Sequence, residues 1–134
     1  MNNQETVIDI TDLSNYLGGN WVHQDLNLSV RRGEIYAIVG GSGTGKTTLL
    51  RTILMLQEPT KGEIKIFGNN LLDASSKEKL KIRRRWGMLF QHGALFSSLT
   101  VLENVLFPLQ EFTQLSEELA TEIAMMKILL TGLP

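Results

Sequence analysis

Residues 40–48 read "GGSGTGKTT", and the fold turns on this stretch. It satisfies the spacing G-x-x-x-x-G-K-[ST] with Gly40, Gly45, Lys46 and Thr47. Small residues let a backbone curl until successive N–H groups point inward, and Gly40, Gly41, Ser42, Gly43, Thr44 and Gly45 supply such a loop. Leucines at helical spacing in "TTLLRTILML" (47–56) predict a helix opening near Lys46, next to Thr47 and Thr48. Its positive N-terminal end would add to the loop's attraction for a phosphate. Lys46 can then reach β- and γ-phosphates, and the Thr47 hydroxyl can ligate Mg²⁺. With glycine usage of about 7%, a chance match in a chain of this size is on the order of one in a hundred. The stretch predicts a nucleotide site.

Outward from the loop, "IYAIV" (35–39) is apolar on both faces and predicts a central strand covered on both sides. Before it, "VIDITDL" (7–13) and "DLNLSV" (25–30) alternate as half-buried strands do, and "RRGE" (31–34) reads as a turn. After the helix, "EPTKGEIKIFGNN" (58–70) reads as turn, short strand, turn. A helix is predicted over 75–85, capped by Ser75 or Ser76 with Glu78 in its first turn. "GMLF" (87–90) reads as another short buried strand. Two helices follow, over 100–109 stopping at Pro108 and over 115–130 capped at Ser116. The order is that of an α/β domain turning helical toward its end, with too few strands for a complete parallel sheet.

The 134 residues suit one domain with a real core, and their net charge of −1 gives no global field to hold nucleic acid. There is no cysteine, which excludes disulfides and thiolate metal sites. "MNNQETVIDITDL" has no basic segment followed by an apolar one, so no cleaved secretory signal is expected. No eighteen-residue apolar run is present, so a membrane role would come through a partner.

The stretch "LNLSVRRGEIYAIVGGSGTGKTTLLRTIL…PTKGEIKIFG" resembles the opening of an ABC-transporter ATPase. In that family a glutamine follows the phosphate loop at a strand end, usually as "FQ", and Phe90-Gln91 fits, 45 residues beyond Lys46. "MLFQHGALFSSLTVLENVLFPLQEFTQL" (88–115) is narrower and is similar to the ATPase subunits of phospholipid transporters that work with MCE-domain proteins. The resemblance implies a P-loop NTPase core of ABC type with a small antiparallel β unit and the beginning of the helical subdomain, truncated. Residues 1–134 would be the N-terminal part of one nucleotide-binding domain, with the helical subdomain starting at about residue 93. It further implies ATP and Mg²⁺ as cofactors, with Lys46 and Gln91 catalytic and Thr47 and Gln91 on the metal. Gln91 would also contact the attacking water, and the residues from His92 to about Leu99 would face a membrane-spanning permease. A homodimer of ATPase subunits and an MCE-type lipid-binding protein complete the implied complex, on the cytoplasmic side of the inner membrane.

Departures from the family pattern carry equal weight. The aromatic that stacks adenine falls at Leu17, with Tyr16 one residue early, and Trp21 is a substitute or a packing residue. Val22 is the implied apolar contact on the adenine side. No "LSGG"-type signature and no apolar run ending in Asp-Glu occurs in these 134 residues. As written, the chain is not expected to be an efficient ATPase, and a non-hydrolysing binding or interaction module is the alternative, followed by a soluble ABC ATPase without a permease. "KIRRR" (81–85) reads as a solvated helix end, His92 as a loop residue, and Met125-Met126 as packing. Glu103, Glu111, Glu117, Glu118 and Glu122 read as helix surface.

Overall fold

The computed structural model describes residues 5–91 and 93–133, so the reading of His92 lies outside the described residues. The chain divides into two compact units, residues 1–87 and 88–134.

The first unit is built on an antiparallel hairpin. β1 (Thr6–Leu17) and β2 (Asn20–Arg31) are joined by Gly18-Gly19, both at positive φ, the requirement of a two-residue turn whose twist matches its strands. β1 also pairs with β3 (Lys61–Ile66), which pairs with the short β4 (Asn69–Asn70), giving the order β2-β1-β3-β4. The expected strands at 7–13 and 25–30 thus fall within two longer ones, extended toward the turn that joins them. Ile10 and Leu13 of β1 and Ile64 and Ile66 of β3 are buried on one face. They meet Leu49 and Ile53 of α1 (Lys46–Ile53) and Ile82 of α2 (Ser76–Arg83). Each such side chain contributes about 1.5–3 kcal/mol. This shared core fixes the start of α1, and with it the phosphate loop.

α2 begins as predicted. Ser75 accepts from the Glu78 N–H while Glu78 accepts from the Ser75 N–H at 2.8 Å, a reciprocal capping box. The basic run beyond it is only partly a solvated end. Arg83 donates to the Met55 carbonyl at 2.6 Å, and the Arg85 guanidinium lies 3.6 Å from the Phe67 ring centre.

The stretch 35–39 is not a strand. Ile35 is 99% and Val39 86% exposed, and only Ile38 packs on the core. Residues 87–90 form no strand either, and Leu89 is 97% exposed. Two-faced apolar runs are made for a parallel sheet, whose pairing partners come from distant segments. Among the described residues neither run has such a partner.

The second unit is a pair of helices, α3 (Val101–Phe112) and α4 (Glu117–Leu129). Pro108 does not stop α3. Its missing N–H and ring clash cost about 3 kcal/mol. Leu102, Val105, Leu106 and Leu109, on both sides of the proline, pack on Ala120 and Ala124 of α4. Leu106 is buried and the other three partly so, and together that face offsets the break. The inner stripe of α4 is Ala120, Ala124 and Ile128. Met125 and Met126 lie off it, 40% and 49% exposed, so the expected methionine packing is not found.

Candidate functional site

The phosphate loop ends at Gly45, the N-cap of α1, whose φ of 88° is left-handed. A Cβ there would lie 2.5 Å from Val22 Cγ1 and 2.5 Å from His23 Nε2, so only glycine fits between β2 and the helix. No side chain caps α1, and no acid stands in its first turn. The first amides of a helix have no intrahelical partners, so this end keeps donors and a positive field for an anion.

Lys46 curls back over the loop. Its Nζ donates to the Gly40 carbonyl at 2.7 Å and the Gly41 carbonyl at 2.5 Å, with Thr44 Oγ1 at 3.4 Å. Thr44 Oγ1 in turn donates to the Gly41 carbonyl at 3.0 Å. These bonds hold the ammonium over the loop's own carbonyls. The cavity beside it, about 230 Å³, is lined by Val22, Gly43, Thr44, Gly45, Lys46, Thr47 and Thr48. Among the described residues, the Thr47 hydroxyl is exposed and makes no side-chain hydrogen bond, so its oxygen is not committed elsewhere. A hydroxyl beside a phosphate cradle is a hard oxygen donor of the kind Mg²⁺ accepts.

Of the residues singled out in the sequence, the structure gathers Gly43 to Thr48 and Val22 around one cavity and folds Gly40 and Gly41 onto Lys46. Ser42 is an exposed residue of the same loop. Tyr16 stands at the hairpin end, outside that cavity's lining. Its hydroxyl donates to the Gly19 carbonyl at 2.9 Å, and its ring meets Trp21 edge-on at 5.0 Å. Lys61 Nζ lies 5.8 Å from the Trp21 ring centre. Gln91 is an exposed bend residue of the second unit.

Nothing in the residue pattern pointed to His23. Its Nδ1 faces Asn15 Nδ2 at 3.1 Å, and its Nε2 lies against Gly45, 2.5 Å from where a Cβ would stand. Burial pushes the imidazole pKa down, and the nearby Gly45 backbone opposes this more weakly. A regular ladder from the Gly18-Gly19 turn would pair Asn15 with Val22. An irregularity between Asn15 and Tyr16 shifts the pairing to His23, and no composition signal marks it.

In the second unit, Asn104 holds the segment before α3. Its Oδ1 accepts from the Phe96 N–H at 2.8 Å, and its Nδ2 lies 2.9–3.2 Å from the carbonyls of Phe96, Leu99 and Thr100. The rings of Phe96 and Phe107 meet at a tilt of 56°, their centres 4.9 Å apart. Among the described residues no helix is long and apolar enough to cross a membrane.

Known proteins share this arrangement. The chain is 41% identical over 129 residues to the intermembrane phospholipid transport system ATP-binding protein MlaF of Haemophilus influenzae, covering 96% of this chain and 49% of that protein. It is 37% identical over 126 residues to an ATP-binding protein of Mycobacterium bovis named for ribonucleotide transport, covering 94% of this chain and 35% of that one. The chain thus spans about half the length, or less, of the curated relatives it matches. Among solved structures, a dimeric, post-hydrolysis ATP-binding cassette, MJ0796, bound to ADP and Pi, superposes with a TM-score of 0.83 at 31% identity. That match covers 95% of this chain and 58% of that one. The fold is therefore the α/β P-loop core of such cassettes, with its antiparallel sheet and part of the helical region. Since the profile of the family described as ABC transporter matches residues 23–132, the chain belongs to that family.

Proposed function

We propose that the chain is the ATP-binding part of an ABC-transporter ATPase that powers phospholipid transport. The observation that carries this reading is the uncapped start of α1, with Lys46 folded over a glycine loop. The backbone amides of residues 40–48 would hold the β-phosphate, and Lys46 would leave its two carbonyls for phosphate oxygens. Thr47, together with Gln91, would hold Mg²⁺, which neutralises charge on the β- and γ-oxygens when bound. Gln91 also orients water, since its amide accepts or ligates without adding charge. Val22 and Tyr16 are assigned to the base side.

The reading extends to a whole assembly. A homodimer of ATPase subunits sits under a membrane-spanning permease on the cytoplasmic face of the inner membrane, with an MCE-type lipid-binding protein in the same complex. The segment clamped by Asn104 faces the permease. Phospholipid is preferred to ribonucleotide as cargo because of "GALF" and "NVLFPL" and the higher identity to the phospholipid relative. Residues 1–134 are assigned as the N-terminal part of one nucleotide-binding domain, with its helical subdomain starting at about residue 93.

Titrating the chain with Mg-ATP, before and after Lys46→Ala, tests the site. Loss of charge-assisted hydrogen bonds worth about 1.5–3 kcal/mol predicts a ten- to hundredfold weaker affinity. Equal affinity of the two proteins would remove the phosphate loop from the proposal. A nucleotide-binding module without turnover is the second reading, and phosphate release by the purified chain separates the two, because sustained turnover excludes the module.

A further inference from the structure

The chemistry around Gly45 goes deeper than the loop motif. Asn15 is buried at 1% exposure, between β2 and α1. Its Nδ2 approaches His23 Nδ1 at 3.1 Å and Thr52 Oγ1 at 3.4 Å. Thr52 spends its own hydrogen on the Thr48 carbonyl, 2.8 Å away within α1, so towards Asn15 it can only accept. Asn15 must therefore present its NH₂ group to both neighbours, which leaves its Oδ1 buried without a partner among the described residues. Facing a donor, His23 Nδ1 is an acceptor, and the ring proton belongs on Nε2. Nε2 lies 2.5 Å from the place where a Gly45 side chain would begin, so the ring's N–H edge rests against this glycine. The Gly45 carbonyl accepts the first helical bond of α1, from Leu49 N–H at 2.9 Å.

We propose that His23, with its tautomer fixed by Asn15, is a positioning residue that sets the last glycine of the phosphate loop and so the aim of the first amides of α1. The relay runs from Thr48 through Thr52, Asn15 and His23 to Gly45, leaving α1 and returning to its start. It ties the loop to the hairpin at the point where the left-handed glycine leaves the backbone least constrained. The effect on nucleotide rests on the phosphate-binding reading above; the effect on the loop does not.

The test uses the whole chain with His23→Leu and with His23→Gln. Leucine fills comparable space without a donor. Glutamine offers an NH₂ group to Gly45 and an oxygen to Asn15. Amide hydrogen exchange without nucleotide reads the loop directly, and an ATP titration reads its consequence. His23→Leu should speed exchange of the Leu49 amide, which bonds the Gly45 carbonyl, by about three- to tenfold and weaken ATP by a similar factor, the worth of one hydrogen bond. His23→Gln should restore both to within about twofold. Unchanged exchange in the leucine variant overturns the proposal, and so does equal damage by leucine and glutamine, which would make the role one of packing. Should the unaltered chain bind no ATP, the phosphate reading fails while exchange still decides the role of His23. Should His23→Leu not fold, Asn15→Ser takes its place. It removes the donor to Nδ1 and must give the same faster exchange, since normal exchange there overturns the relay.

Discussion

Four helices begin among the described residues, and α1 begins unlike the other three. α2 opens on Ser75 and α3 on Thr100, each in a reciprocal capping box with a glutamate three residues on. α4 opens on Ser116, which accepts from the Leu119 N–H, with Glu117 and Glu118 in its first turn. α1 opens on a left-handed glycine with no side-chain cap and no acid. Three helix starts are settled by their own sequence, at about 1 kcal/mol per cap. The fourth lacks that stabilisation and is held from outside, by the buried face of Leu49 and Ile53 and by the hairpin residues Val22 and His23. On the phosphate-binding reading proposed above, local stability is given up where a ligand would supply the missing acceptor.

Substitution at the bare start gives the largest expected effect. Gly45→Ala places a methyl group 2.5 Å from two side-chain atoms in a left-handed conformation. Handedness costs about 1–2 kcal/mol, and overpacking adds roughly 1–3 kcal/mol. Gly43→Ala is the control, because its φ of 80° is equally left-handed but its surroundings are open. It should lose only the first of these contributions. Chemical denaturation of both variants checks the difference, and equal losses would mean that the hairpin does not grip the loop.

At the other helices the effect is smaller and separable from nucleotide. Thr100→Ala removes the acceptor for the Glu103 N–H and should cost about 1 kcal/mol. ATP affinity should stay unchanged, since Thr100 lines no part of the cavity beside Lys46. A matching loss of affinity in the titration would make the α3 cap part of the nucleotide site.

Local devices were legible in the sequence. The phosphate loop, the Ser75–Glu78 box and the Ser116 cap are written in adjacent residues, and each forms where it was read. Features that depend on distant partners were not. The runs 35–39 and 87–90 have the composition of core strands, yet composition does not supply the neighbour a parallel strand pairs with. Pro108 is a helix breaker by local rules and is overridden by packing across α4. Ala120 and Ala124, rather than Met125 and Met126, take the inner face because small residues let α3 approach closely. His23 escaped notice for the same reason. A strand histidine became part of the site only through one irregularity in the hairpin register.

Acid should separate the two kinds of helix start, though only slightly because the groups are exposed or partly so. Glu78 is held below the ordinary carboxylate value of 4.5, first by the Ser75 hydroxyl and then by the Ser75 N–H. Glu103 is held below it first by the Thr100 N–H and then by its hydroxyl. For such groups the unfolded chain binds more protons, so their contribution is present above pH 4.5 and is lost as pH falls through the lower folded values. His23 is also lowered, by burial, from its ordinary 6.5. Again the unfolded state takes the proton first, so stability is present above pH 6.5 and is lost as pH falls toward the folded value. Amide exchange followed against pH, corrected for its intrinsic rate, should therefore show the start of α1 loosening in a window that opens at pH 6.5. The starts of α2 and α3 should hold until the pH is below 4.5. If all three loosened together, the imidazole would not be what distinguishes the bare helix start from the capped ones.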